Sequence, residues 1–392
     1  MSGSLAPARR DRAGLSVTRW RGGTAVSYAA RDVTRPAARS DAPSSPEAEG
    51  LLRLDLDDSR WGGLRARDPD ATPFHLPAWA AFLAECYGFR PFVAAIAGPD
   101  GELAAAVPVL ETRLPLVGRR RWIALPFTDV CPPLSTDDGA LVALVEQLAA
   151  AGQRDGIRRI EIRAAVPAPQ AHVTTEAVQH VLELEDDPEA LRRAFHPSVR
   201  QGIRGAERAG LVVRRGDRPE DLTRVFYDLH VSTRRRLGVP VQRRRFFELL
   251  WDRVLAPGGG HVLVAELQGE PIAAAVFLVD ERTTIYKYGA SDHRHLKTRP
   301  NHALFWEAIT DACARGHRSF DFGRSDFDGE GLRRFKSSWG AQELELDYTT
   351  IGPAPAPHEG GGGRLSALAA SVIRRSPSLV CRSAGLFYRF SA

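Results

Sequence analysis

The chain is 392 residues long, enough for two domains and a sizeable buried core. Hydrophobic residues make up 43% and charged residues 26%, which excludes a collagen, a heptad rod and a wholly disordered chain. The net charge is only +5, but residues 192–245 alone carry 15 arginines against 5 acids. Such a belt suits an anionic partner, or is simply a solvated helical face. The longest apolar runs, LAAAVPVL and PIAAAVFLV, fall short of the roughly 20 residues a membrane helix needs. The first residues lack a signal-peptide core, so a cytoplasmic protein is expected. Cys86, Cys131, Cys313 and Cys381 form no CxxC pair and read as buried reduced thiols. Arginine outnumbers lysine 50 to 3, and the three lysines are Lys287, Lys297 and Lys336.

In chain order, residues 1–50 read as a basic, Pro-rich disordered tail, with TAVSYAA as a short strand inside it. Folded sequence starts at Leu51. DSRWGGLRAR and PAWAAFLAECYG read as helices, RPFVAAIA and ELAAAVPVLETRL as a strand pair around GPDG, and RRRWIALPF as another strand. TDDGALVALVEQLAAAGQRDG has a helix start at Thr136 or Asp137 and a stop near Gly152 or Gly156. The strands RRIEIRAA and HVLELE close a first domain, 51–186. A second, 187–352, opens with two basic helices and the strand LVVRRG. Two further helices follow, then the meander HVLVAELQ, EPIAAAVFLVD and RTTIYKYGAS. The helix RPNHALFWEAITDACARG, the strand RSFDFG, the helix GEGLRRFKSSWG and the strand ELELDYTTI complete it. This is an α/β layer pattern with a mixed sheet. Residues 353–392 read as a Pro/Gly linker and a basic amphipathic helix, which either lies on an anionic bilayer through 364–390 or docks on its own protein.

No P-loop, HExxH, GxSxG or GxGxxG motif is present. The DFG at Asp321 lacks the other kinase motifs. His293, His295 and His302 fall on a loop and a helix start without a carboxylate motif, so no metal site is expected.

The meander–helix–strand–helix–strand order resembles the GNAT fold. The words TRRRLGVP, YKYGASD, RPNHALFWEAITDACARG, FDFGRSDFDGEGLRRFKSSWGA and LDY resemble its Fem-type branch. That branch holds peptidoglycan-bridge aminoacyltransferases and CelD-like proteins of polysaccharide gene clusters. ATPFHLPAW and FTDVCPPLS are similar to CelD-like N-terminal halves, so the resemblance covers about 51–352. It implies tandem GNAT-like domains, each a mixed sheet flanked by helices, the first of them degenerate.

It further implies acyl transfer from acyl-CoA or aminoacyl-tRNA to an amine or hydroxyl of a cell-envelope or polysaccharide precursor, at an anionic sugar-phosphate or lipid-linked acceptor. The protein would then be cytoplasmic or peripheral to the inner face of the plasma membrane. Two rivals stay open: an acyl-CoA-dependent acetyltransferase acting on a small metabolite, and a non-catalytic module that binds RNA or a protein.

GNAT folds splay their fourth and fifth strands at the donor site. The ends of those strands here place Tyr286, Tyr288 and Ser291 opposite Asp321 and Arg324. Lys336 matches the lysine of the Fem-type F-K motif, and Arg236 matches the arginine of T-x-x-R-x-G. Lys336, Asp321 and Tyr288 are the catalytic candidates. Arg236, Tyr286, Ser291, Lys297, Asn301 and Arg324 are the substrate-binding ones. Two readings of Asp321 remain open besides catalysis: a cap of the following turn, or a partner of Arg324. Asn301 either contacts substrate or only starts its helix. One of the tyrosines could simply be core. HLKTRPNHAL stands where CoA-using GNATs carry a glycine loop that cradles pyrophosphate, and Pro300 removes an amide there. Lys297 and Arg299 could bind phosphate through side chains instead.

Overall fold

A computed structural model describes residues 50–113, 118–166 and 171–353. The expected tail, its strand TAVSYAA and the amphipathic helix near 364–390 lie outside the described residues.

The first half runs β1 (Leu52–Leu54), α1 (Ser59–Arg67), α2 (Pro77–Tyr87), β2 (Arg90–Ala97), β3 (Leu103–Arg113), β4 (Arg120–Ile123), β5 (Leu134–Ser135), α3 (Asp138–Arg154), β6 (Arg159–Ile162) and β7 (Ala171–Glu183). Asp137 starts α3 by accepting the Ala140 amide at 2.9 Å, as an N-cap should. β4 ends four residues before the strand expected from RRRWIALPF. Leu125 and Phe127 take φ of 58° and 62°, which breaks the extended run. β7 starts nine residues before the HVLELE expected there.

The second half runs α4 (Pro188–Ala194), α5 (Pro197–Arg208), β8 (Leu211–Arg215), α6 (Tyr227–Leu237), α7 (Arg244–Leu250), β9 (Gly260–Leu267), β10 (Glu270–Val279), β11 (Thr283–Ser291), α8 (Pro300–Ala314), β12 (Ser319–Ser325), α9 (Glu330–Ser337) and β13 (Gln342–Ile351). Single π-helical segments precede α6 and follow α7. Gly238, with φ of 78°, ends α6.

All the strands join one mixed sheet, in the order β1-β2-β3-β4-β6-β13-β7-β12-β11-β10-β9-β8, with β5 on β3. Each half repeats a pattern: an antiparallel run of four strands, a helix, then a strand parallel to the fourth. β4 with β6 and β11 with β12 are those parallel pairs. The repeat is the tandem GNAT-like architecture. At the centre the halves exchange strands. β13, from the end of the chain, pairs with β6, while β7 pairs with β12. The boundary at 186 thus divides the chain between elements without dividing the sheet.

The cores also cross the boundary. Phe82 of α2 meets Phe246 of α7 edge-on at 4.8 Å, within a cluster that holds Phe74, Trp79, Phe226 and Leu250. α5 and α8 cover the other face of the second half over Phe277, Phe305, Phe320 and Trp339. α3 covers the first half over Trp122, Leu144 and Leu148.

Thr349 of β13 is a joint of the exchange. It is fully buried, donates to the Ala164 carbonyl at 2.7 Å and accepts the Val166 amide at 3.0 Å. Thr349→Val strands two backbone groups and should cost about 2 kcal/mol. Urea unfolding followed by tryptophan fluorescence and far-UV circular dichroism should show this loss as one shared transition. Two separable transitions would mean that the halves fold independently.

Candidate active site

β11 and β12 pair over only three positions, Thr283 with Ser319 through Ile285 with Asp321. Both strands then continue without pairing to each other, so an opening lies between them. Each is bulged where the opening begins. Val276 opposes Tyr288 and Phe277 opposes Tyr286, which leaves Lys287 as the extra residue of β11. In β12 the bulge falls between Asp321 and Arg324. Gly323 sits in it with φ of 71°, and a Cβ there would lie 2.8 Å from the Tyr286 carbonyl oxygen. Only glycine fits that approach.

Lys336 reaches the bulge from α9. Its Nζ donates to the carbonyls of Gly323 at 2.7 Å and Arg324 at 2.9 Å. An ammonium has three donors, so one N–H remains beyond these two bonds. Asp321 accepts the Gly323 amide at 2.7 Å. Asp321 thus bonds inside the β12 bulge, while Arg324 bonds Asp326. Lys336 and Asp321 are 2% and 4% exposed. Burial lifts the Asp321 carboxyl to about 7, against the bond from the Gly323 amide. The Asp129 charge adds to the lift, and Lys336 and Lys287 oppose it. Burial lowers the Lys336 ammonium to about 8, opposed by Asp321, Asp129 and Asp326. Burial, then the Lys336 charge, holds His180 of β7 near 4, so this neighbour stays neutral at ordinary pH.

Three residues of this cluster were not among the sequence candidates. Asp129 comes from the chain that leaves β4 and crosses to the second half. Its carboxylate accepts Lys287 Nζ at 3.2 Å through each oxygen. The Lys287 ammonium lies 5.0 Å from the Phe74 ring centre and 5.9 Å from those of Trp79 and Tyr288, inside cation–π range. Tyr348 of β13 donates to the Asp129 carbonyl at 2.8 Å and carries the Arg163 guanidinium over its ring at 4.5 Å. The sequence did signal all three. Asp129 lies in FTDVCPPLS, Lys287 in YKYGASD and Tyr348 in LDY, and Lys287 is one of the three lysines.

The structure divides the remaining candidates into two groups. Tyr286, Tyr288, Ser291 and Arg324 line the strands of the opening. Tyr286 is driven up to about 12 by burial, and its hydroxyl occupies the space a Cβ on Gly289 would need. Tyr288 packs edge-on to Phe246 and Phe247 at 6.0 Å each. Ser291 is tied to α6 through Thr233, whose Oγ1 donates to the Ser291 carbonyl at 3.2 Å. Arg324 donates to the Tyr348 hydroxyl at 3.4 Å and to the Glu176 carbonyl at 3.3 Å. Arg236, Lys297 and Asn301 stand apart, exposed around the outer end of β11 and the start of α8. An open groove of about 340 Å³ between β7, α4 and Trp339 contains none of the candidates. Among the described residues, no cluster of three or more His, Cys, Asp or Glu side chains could hold a metal ion.

Residues 192–337 match the family model described as an acetyltransferase (GNAT) domain. That stretch carries the GNAT domain, and the described chain as a whole shares its fold with solved structures. It is similar to the crystal structure of FemX, at 15% identity and a TM-score of 0.63, covering 77% of this chain and 97% of that one. It is also similar to L-PGS from Bacillus licheniformis, at 12% identity and a TM-score of 0.51, covering 83% and 99%. A third likeness is the C-terminal domain of a protein from Agrobacterium fabrum provisionally named a lysylphosphatidylglycerol synthetase, at 15% identity and a TM-score of 0.50, covering 81% and 96%. At such identities these likenesses speak for the fold. No curated protein matches the sequence.

The raised Asp321 carboxyl makes stability depend on pH with a definite sign. An unfolded aspartate ionises near 3.9, whereas the folded carboxyl keeps its proton to about 7. Between these values the unfolded state binds fewer protons, so rising pH costs the folded state stability. Asp321→Asn lacks this contribution. Its melting temperature relative to the natural protein should therefore climb from about pH 4 to about pH 7. A constant difference across that window would show that Asp321 is already ionised when folded.

Proposed function

We propose that the protein moves an acyl or aminoacyl group from an activated donor, acyl-CoA or aminoacyl-tRNA, to an amine or hydroxyl of a cell-envelope or polysaccharide precursor. The observation that carries this is the Asp321–Lys336 pair at the floor of the β11–β12 opening. The acceptor nitrogen or oxygen attacks the donor's carbonyl carbon, and Asp321 takes the acceptor's proton as the new bond forms. The remaining N–H of Lys336 faces the oxyanion that develops. The donor's C–O or C–S bond then breaks, and the proton on Asp321 passes to the leaving oxygen or sulfur.

Asp129 and Lys287 fix the charge around this pair. Tyr286, Tyr288 and Ser291 line the donor's path, and Arg324 holds the wall opposite. The turn before α8 offers phosphate the side chains of Lys297 and Arg299 and the exposed Asn301, rather than glycine amides. Arg236 stands on the same rim. The Fem-type resemblance and a fold neighbour named for lysylphosphatidylglycerol synthesis support an envelope acceptor.

Transfer should follow a bell-shaped pH profile. It rises as Asp321 ionises near 7 and falls as Lys336 loses its proton near 8. Lys336→Met should lower single-turnover transfer by about a hundredfold or more, with any labelled acyl-CoA or aminoacyl-tRNA that the natural protein uses. The variant's urea midpoint tells the two roles apart. Loss of transfer in step with loss of folded protein would make Lys336 a strut of the β12 bulge and nothing more.

A further inference from the structure

We propose that the rim around the mouth of the β11–β12 opening docks on an anionic lipid bilayer, with Leu237 and Leu296 entering the headgroup layer. The geometry starts from α6 and β11. His230 lies beside Tyr288, with ring centres 6.2 Å apart, and Thr233 lies beside Ser291. The helix and the strand therefore advance in the same direction and emerge at one end. α6 finishes there with Arg235, Arg236 and Leu237. β11 continues there into the 3-10 turn His293–Thr298, which carries Leu296 and Lys297 and leads to Arg299. β12 runs parallel to β11, so its outer end, followed by Phe327, lies on the same side of the molecule. The mouth of the opening is on this side too, because the strands part toward it.

Three of the large exposed apolar side chains of the described residues lie on this side, while Val173 and Val212 lie elsewhere. Leu237 is 48% exposed, Leu296 40% and Phe327 46%. Around Leu237 and Leu296 the exposed charges are mainly positive, whereas Phe327 lies between the exposed Asp326 and Asp328. Arg235, Arg236, Lys297 and Arg299 are exposed, and none is in an ion pair among the described residues. The nearest acid on the turn, Asp292, is already taken by Arg294 at 2.6 Å. Aliphatic side chains ringed by unpaired cations suit the boundary of an anionic membrane. Apolar groups leave water there, and each cation meets lipid phosphate. An RNA backbone would use the cations but would leave the two leucines in water. Nor does the chain's own remainder suit the surface. Residues 1–49 carry 8 arginines against 5 acids, and residues 354–392 carry 5 against 1, so both ends share the rim's sign.

Docking stands whichever group is transferred, because binding rather than turnover is measured. The test is co-sedimentation of the full chain with vesicles of phosphatidylcholine alone and of phosphatidylcholine mixed with phosphatidylglycerol. Binding is expected only to the mixed vesicles, and should weaken as salt rises. Leu237→Glu with Leu296→Glu should weaken it by about tenfold or more at an unchanged melting temperature. Arg235→Ser with Arg299→Ser should weaken it by a similar factor. Vesicle binding that neither pair of changes alters would place membrane contact elsewhere in the chain and overturn the assignment. So would tight binding of transfer RNA with no binding to anionic vesicles.

Discussion

β13 pairs with β7 at ten positions, from Gln342 with Val181 to Ile351 with Ala171, with a register shift between Leu346 and Asp347, and its other edge pairs with β6. The last strand of the described residues thus closes the sheet of the first half, and β7 carries the sheet on into the second. Neither half completes its sheet with its own residues. This exchange also assembles the active site, because each exchanged element delivers part of it. Tyr348 rides on β13 and holds Asp129, while His180 rides on β7 opposite the β12 bulge. Asp129 itself arrives because β4 gives out at Ile123 and the chain turns away through Leu125 and Phe127. Where the second half keeps an opening beside its fourth strand, the first half sends its chain across to furnish that opening. The word degenerate, applied to the first half, describes its own site and misses this contribution.

The opening is held by polar groups with few spare bonds. Two backbone carbonyls of β12 face Lys336 and one backbone amide faces Asp321. A bulge that turns carbonyls inward must satisfy them, since a buried unpaired carbonyl costs about 1–3 kcal/mol. The ammonium satisfies both at once, and its own desolvation is offset by the nearby carboxylates. The same buried pair is left with values near neutrality, where proton transfer is easiest to drive in either direction. Structural and chemical duties therefore fall on the same atoms. A variant at either residue must be read for both.

Much of this was legible in the sequence. The helices and strands of the second half lie where hydrophobic spacing, Gly238 and Pro300 put them. The FDFGRS and RRFKSSWG words led to Asp321 and Lys336 before any geometry was known. What spacing could not show was the three-dimensional exchange. β13 reads as one more strand of its domain, and nothing local in ELELDYTTI says that it pairs with RRIEIRAA. Spacing shows only HVLELE of the long β7, because AHVTTEAVQ is polar and its first half is partly exposed. Asp129 was missed for the same reason. It lies 158 positions from Lys287 and 219 from Tyr348, and its role exists only across the seam. Arg236, Lys297 and Asn301 read as substrate-binding residues, Arg236 through its match to T-x-x-R-x-G, and the fold puts all three on the rim.

The choice of lysine at positions 287 and 336 follows from the same packing. The chain writes arginine almost everywhere else, so these two positions call for what arginine lacks. A guanidinium is a wide planar fork that stays charged. It could not close on two adjacent carbonyls of a single bulge from the far end of α9 without pushing β12 away from Tyr286. Nor could it move toward neutrality when buried, as the Lys336 ammonium does. At Lys287 a compact charge fits between Phe74, Trp79 and Tyr288 while still reaching both oxygens of Asp129. Lys297 stands exposed on its turn, where either cation would serve. The two buried lysines therefore mark where the fold needs a small, adjustable charge, and both lie at the parting of β11 and β12.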